Sequence, residues 1–105
     1  MIAQTPTAPY YAVIFTSQKK DNTEGYEATA NKMFDMIEDQ EGFLGLEHAG
    51  GDSSINISYW KDVQSIMAWR QNQDHKAAQE QGKAEWYAGY KVRICQVQRD
   101  YDMGM

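Results

Sequence analysis

Residues 10–16 read Tyr-Tyr-Ala-Val-Ile-Phe-Thr, a β-branched and aromatic run that is apolar at both alternating sets of positions. Tyr11, Val13 and Phe15 form one set, Ala12 and Ile14 the other. Because successive side chains of a strand point to opposite faces, such a strand needs a layer on each side. This constrains the fold more than any other feature: the sheet that holds residues 10–16 must be covered twice.

The segments that follow supply one cover. Asp21, Asn22 and Thr23 offer capping oxygens, and Tyr26, Ala30, Met33, Phe34 and Ile37 recur at helical spacing before Gly42, which predicts a first helix over about 23–40. Runs 43–48 and 54–60 are short and strand-like. Ala49-Gly50-Gly51-Asp52 between them offers the φ > 0 residues of a hairpin, so the two should pair antiparallel. Asp62 can cap a second helix with Val63, Ile66, Met67 and Arg70 along one stripe, followed by the polar run Gln71 to Gln81 and a stop at Gly82. After a short helical turn around Ala84 to Tyr87, Gly89 opens a last strand in which Tyr90, Val92 and Ile94 alternate with Lys91, Arg93 and Cys95. The alternation shifts at Val97, which predicts a bulge or a change of burial environment near Gln96.

The order is β-α-β-β-α-β, an α+β, ferredoxin-like arrangement with one antiparallel sheet and both helices on one face. No third helix is left for the second face of strand one. The simplest cover is another copy of the same sheet packed about a two-fold axis, so the pattern predicts a homodimer through the sheet faces. Trp60 is opposite in parity to Ile55, Ile57 and Tyr59; with those three placed toward the helices, Trp60 faces the partner. Seven Tyr, three Trp, three Phe and six Met among 105 residues strengthen the expectation of an interface or a roomy apolar pocket. Pro6 and Pro9 mark residues 1–9 as a loose N-terminal arm; residues 10–101 form a single domain and residues 102–105 a frayed tail.

Charge and cysteine usage narrow the partners. Ten Lys and Arg against fifteen Asp and Glu leave a net charge of −5, without the attraction to phosphate that nucleic acids and anionic membranes require. No stretch approaches the ~20 apolar residues of a membrane span, and Met1 to Pro9 lacks the basic and apolar regions of an export signal. Cys95 is the only cysteine, so the chain can build neither an internal disulfide nor a thiolate zinc cluster, and a cytoplasmic home is expected.

The stretch Ser58-Tyr59-Trp60-Lys61-Asp62-Val63-Gln64-Ser65-Ile66-Met67-Ala68-Trp69-Arg70, followed by His75-Lys76-Ala77-Ala78, Gly82 and Trp86, resembles the antibiotic-biosynthesis monooxygenase family of the dimeric α+β barrels. The likeness covers about residues 10–101. It implies the ferredoxin-like fold, a homodimer and a pocket walled by the equivalent of Trp69. Reactions in such families include cofactor-independent oxygenation of flat polycyclic phenols and haem degradation, so the resemblance leaves the chemistry to the site. Haem degraders of this superfamily carry an axial His ten residues after the pocket Trp, where Gln79 stands here. They also carry an Asn in the first strand that residues 11–17 lack. Both departures argue against haem, although His75 is a candidate donor from a shifted helix.

Trp69 falls at the margin of the helical stripe of Val63, Ile66 and Met67, where it either walls a cleft or extends the core. His75, nearly two turns beyond Trp69, is the imidazole suited to move a proton, unless Asp74 merely holds it at the surface. Met33, Phe34, Tyr59, Trp60, Trp86 and Tyr87 are candidates to line an apolar pocket, each with plain core packing as its alternative. His48 reads as a surface residue and Cys95 as a small buried hydrophobe.

Taken with the resemblance, these residues imply a monooxygenase needing neither cofactor nor metal, acting with O₂ on a flat phenol- or anthrone-like substrate. In that reading Trp69 orients the ring while His75, with Tyr59, manages the proton. The alternatives are a non-catalytic dimer that binds a small hydrophobic molecule and, third, a haem-binding protein.

Overall fold

The structure, a computed structural model, describes residues 1–72 and 86–104. Its elements are β1 (Tyr10–Lys19), α1 (Tyr26–Glu38), β2 (Phe43–Gly50), β3 (Ser53–Trp60), α2 (Val63–Gln71) and β4 (Tyr87–Val97). The strands form one antiparallel sheet in the order β2-β3-β1-β4. The doubly apolar strand β1 thus lies inside the sheet, with β3 and β4 on its two edges. This is the expected α+β, ferredoxin-like architecture.

Register assigns the faces. Tyr11 lies opposite Trp60, Val13 opposite Ser58 and Phe15 opposite Asn56, while across the other edge Val13 meets Ile94 and Phe15 meets Val92. Residues directly opposed in an antiparallel pair share a face. The helices cover this one: Ile37 of α1 and Ile66 and Trp69 of α2 close on Trp60, with Tyr11, Val13, Met33, Met36 and Phe43 packed around them. Trp60 is fully buried there, at 0% exposure. The expectation that Trp60 faces a partner is therefore corrected. Ile55, Ile57 and Tyr59 take the outer face with Ala12 and Ile14, because the larger indole finds its cover under the helices and the isoleucines do not.

Two helix expectations also shift. α1 begins at Tyr26 behind Gly25, whose φ of 82° turns the chain, and no side chain caps it; Asn22 instead accepts from the Glu24 amide at 3.1 Å. α2 is capped as expected, Asp62 Oδ1 accepting from the Ser65 amide at 2.8 Å. Its buried residues are Ile66 and Trp69, whereas Val63 and Met67 are exposed, so the helix is rotated from the predicted stripe and Trp69 belongs to the core. α2 ends at Gln71, with Asn72 already extended. The predicted stop at Gly82, together with His75 and Gln79, lies outside the described residues.

Gly42 joins α1 to β2 at a φ of 83°, and a Cβ there would meet Ser65 Oγ at 2.1 Å. Only glycine provides both the left-handed turn and the close approach of α2. The β2–β3 hairpin forms as predicted. β4 is already a strand at Tyr87, so the helical turn expected around Ala84 to Tyr87 does not extend to it. The bulge expected near Gln96 is absent: Tyr10–Val97 and Tyr11–Gln96 pair in step, and the irregularity lies between Gln18 and Lys19, opposite Gly89 and Tyr87. Val97 breaks the apolar alternation because it shares the outer face with Tyr10.

The N-terminal arm is fastened to the outer face. The Ala3 amide donates to Glu47 Oε2 at 3.1 Å, Thr5 Oγ1 donates to the Tyr10 hydroxyl at 3.0 Å, and that hydroxyl donates to Asp100 Oδ2. No helix among the described residues is long and apolar enough to cross a membrane.

Candidate functional site

A cavity of about 230 Å³ opens between the helix-facing side of the sheet and the two helices. Its floor is Val13 and Phe15 of β1, Asn56 and Ser58 of β3, and Val92 of β4. Met33, Phe34 and Ile37 of α1 form one wall; Ile66, Trp69 and Arg70 of α2 form another, and Trp86 and Tyr87 enter from the start of β4. This placement follows from periodicity. α1 turns Met33, Phe34 and Ile37 toward the sheet at i, i+1 and i+4, while β3 presents Asn56 and Ser58 at i and i+2.

Aromatic contacts hold the walls. Trp69 stacks on Trp60 with centroids 6.5 Å apart, and Trp60 meets Phe43 edge to face at 5.5 Å. Trp86 is buried, donates its indole N–H to the Glu24 carbonyl at 2.9 Å and meets Tyr26 edge to face at 5.6 Å. Tyr87 packs edge to face against both Tyr26 and Phe15. Burial first, then a hydrogen bond with Tyr26, push the Tyr87 hydroxyl well above its ordinary range, so it stays protonated at neutral pH.

The polar edge of the cavity is on β3. The Trp60 indole N–H donates to Ser58 Oγ at 2.9 Å. Across the β2–β3 pair, His48 Nδ1 is hydrogen-bonded to Asn56 Oδ1, and the His48 ring packs 6.0 Å from Phe34. Among the described lining residues there is neither a carboxylate nor a histidine, and among the described residues no three His, Cys, Asp or Glu side chains gather as a metal site.

Of the residues singled out in the sequence, Met33, Phe34, Trp69, Trp86 and Tyr87 come together on this cavity. Trp60 supports it from behind, stacked on Trp69. Tyr59 is separated from it by the sheet: its side chain is on the outer face, where its hydroxyl donates to Glu47 Oε1 at 2.6 Å and its ring meets Tyr10 at 5.9 Å. Burial and then Glu47 hold that phenol well above its ordinary range. Tyr59, expected in the pocket to manage the proton with His75, is thereby placed outside the cavity, for the same reason of parity that moved Trp60. Cys95 is exposed rather than buried and lies opposite Ala12. Asn56, Ser58 and the His48–Asn56 pair were missed. The parity of Trp60 would have revealed Asn56 and Ser58, which share its face of β3, and His48 lies opposite Asn56 on β2.

The cavity between the ferredoxin-like sheet and its helices, floored by strands and walled by tryptophans, is a concave, largely apolar space with a few polar groups. The chain belongs to the antibiotic biosynthesis monooxygenase family, whose model matches residues 9–81. It is 43% identical over 100 residues to YqjZ, an uncharacterized protein of Bacillus subtilis, covering 93% of this chain and 88% of that one. It is 28% identical over 94 residues to a jasmonate monooxygenase of Pyricularia oryzae, covering 83% of this chain but 43% of that longer protein. The fold is shared with SnoaB, a cofactor-independent oxygenase from Streptomyces nogalater: the TM-score is 0.76 at 10% identity, covering 89% of this chain and 97% of that one.

Proposed function

We propose that this protein is a monooxygenase that uses O₂, without a cofactor, on a small flat aromatic substrate of the phenol or anthrone type. The observation that carries the reading is the apolar, tryptophan-walled cavity under the helices of a chain from this family. The names of the jasmonate monooxygenase and of SnoaB support it by analogy. Trp69, held by Trp60, orients the ring, and His75 takes the proton. The resulting carbanion passes one electron to O₂, the radical pair recombines, and loss of water leaves a ketone. The substrate loses two hydrogens and gains one oxygen atom; the second leaves as water. The dry cavity keeps the carbanion from being reprotonated by solvent.

The protein acts as a homodimer through the outer sheet faces, in a reducing cytoplasm that suits the exposed Cys95. Oxygen uptake by metal-free protein with anthrone, lost in His75→Ala and strongly reduced in Trp69→Phe, is the expected result. Absence of uptake across a panel of anthrones and phenols defeats the reading. A second reading, a binder of a small hydrophobic molecule without turnover, is favoured by the lack of a carboxylate or histidine among the described lining residues. A ligand that co-purifies and is recovered unchanged after incubation in air distinguishes it.

A further inference from the structure

We infer that Asn56 and Ser58 form a two-donor cradle that selects ligands bearing a carbonyl or phenolate oxygen. The inference rests on reading this cavity as the substrate site and specifies the chemical group the site recognises. Both residues lie on the cavity floor two positions apart on β3, so their side chains stand on the same face. What each presents to the cavity is set by a neighbour that occupies its accepting atom. Asn56 Oδ1 is taken by His48 Nδ1 across the β2–β3 pair. A carboxamide oxygen can only accept, so His48 is the donor and the Asn56 –NH₂ group is left for the cavity. Ser58 Oγ accepts the Trp60 indole N–H at 2.9 Å, which fills one of its two acceptor sites and leaves its hydroxyl proton to be donated.

The rest of the lining favours the same ligand. Arg70 adds a cation, no Asp or Glu lines the cavity among the described residues, and the phenols of Tyr26 and Tyr87 are engaged with each other. A hydrocarbon would leave two donors unpaired in a largely apolar space, whereas an oxygen acceptor fills both. In this scheme His48 is a positioning residue: it touches Asn56 and fixes which end of the amide faces inward.

The matched probes 1-tetralone and tetralin differ only in the carbonyl oxygen. Their binding to the full chain can be followed by quenching of tryptophan fluorescence, since Trp69 and Trp86 wall the cavity. The unaltered protein should prefer tetralone by roughly tenfold. Asn56→Leu and Ser58→Ala should each bring the ratio toward one while tetralin binding changes less than about twofold. His48→Leu should reduce the ratio in part without touching tetralin. A ratio near one in the unaltered protein overturns the proposal, as does a parallel loss of both probes in both floor variants, or failure of the unaltered protein to bind either probe. The oxygenase reading falls separately: retained carbonyl selectivity without oxygen uptake on any anthrone leaves the cradle standing, and turnover without selectivity removes the cradle alone.

Discussion

Trp69 of α2 stacks on Trp60 of β3 with ring planes 30° apart and centroids 6.5 Å from each other, so one face of the cavity wall is braced by the most buried side chain of the sheet. Stability and orientation of the wall are therefore linked. Trp69→Ala should cost about 3–5 kcal/mol by creating a cavity beside Trp60. Trp69→Phe, which retains an aromatic ring, should keep the fold in thermal melts yet lower kcat on anthrone. A Phe variant with unchanged turnover would show that the indole only packs.

Val13 and Ile14 are neighbours in β1 on opposite faces, and a charge at each tests a different layer. Val13→Asp places a carboxylate under the helices beside Trp60 and should prevent folding. Ile14→Asp places it on the outer face, with Ala12, Ile57 and Tyr59. If two sheets pair there over more than ~1,000 Å², Ile14→Asp should shift sedimentation from a dimer toward the 12.0 kDa chain or unfold it. A well-folded 12.0 kDa species of the unaltered protein at low micromolar concentration would refute the dimer.

Asp62 caps α2, and its hydrogen bond to Ser65 holds its carboxyl below the ordinary value of 3.8. A depressed folded pKa means that the cap stabilises the protein at pH values above the unfolded pKa and is lost as pH falls through the folded one. Asp62→Ala should lower Tm by about 4 °C at pH 7. That difference should begin to close in melts below about pH 4 and vanish once the folded carboxyl itself is protonated.

Tyr87 has the opposite sign. Its raised folded pKa, caused by burial and then by Tyr26, favours the neutral phenol; the stabilisation is fully present below the unfolded value of 10.0 and is lost as pH rises above it. Alkaline unfolding of the native chain should set in above about pH 10 and be shallower in Tyr87→Phe, as denaturant melts from pH 8 to 11 would register. An identical alkaline profile in the variant would remove Tyr87 from that transition.

The order of elements, the antiparallel hairpin, the cavity-facing stripe of α1 and the Asp62 cap were legible along the chain because each depends on local period, turn chemistry or capping. The likeness of residues 58–70 to a monooxygenase family was equally local. What the sequence could not decide was which of two alternating sets faces inward. In β3, Ile55, Ile57 and Tyr59 compete with Asn56, Ser58 and Trp60, and periodicity alone separates the sets without choosing between them. The choice came from the register with β1 and from the helices that cover Trp60. The same step carried Tyr59 away from Trp69, brought Asn56 and Ser58 onto the cavity floor and rotated α2 onto Ile66 and Trp69. Period is a property of neighbouring residues, whereas burial is a property of what packs on them. The sheet, its register and its helices had to be assembled before the site existed.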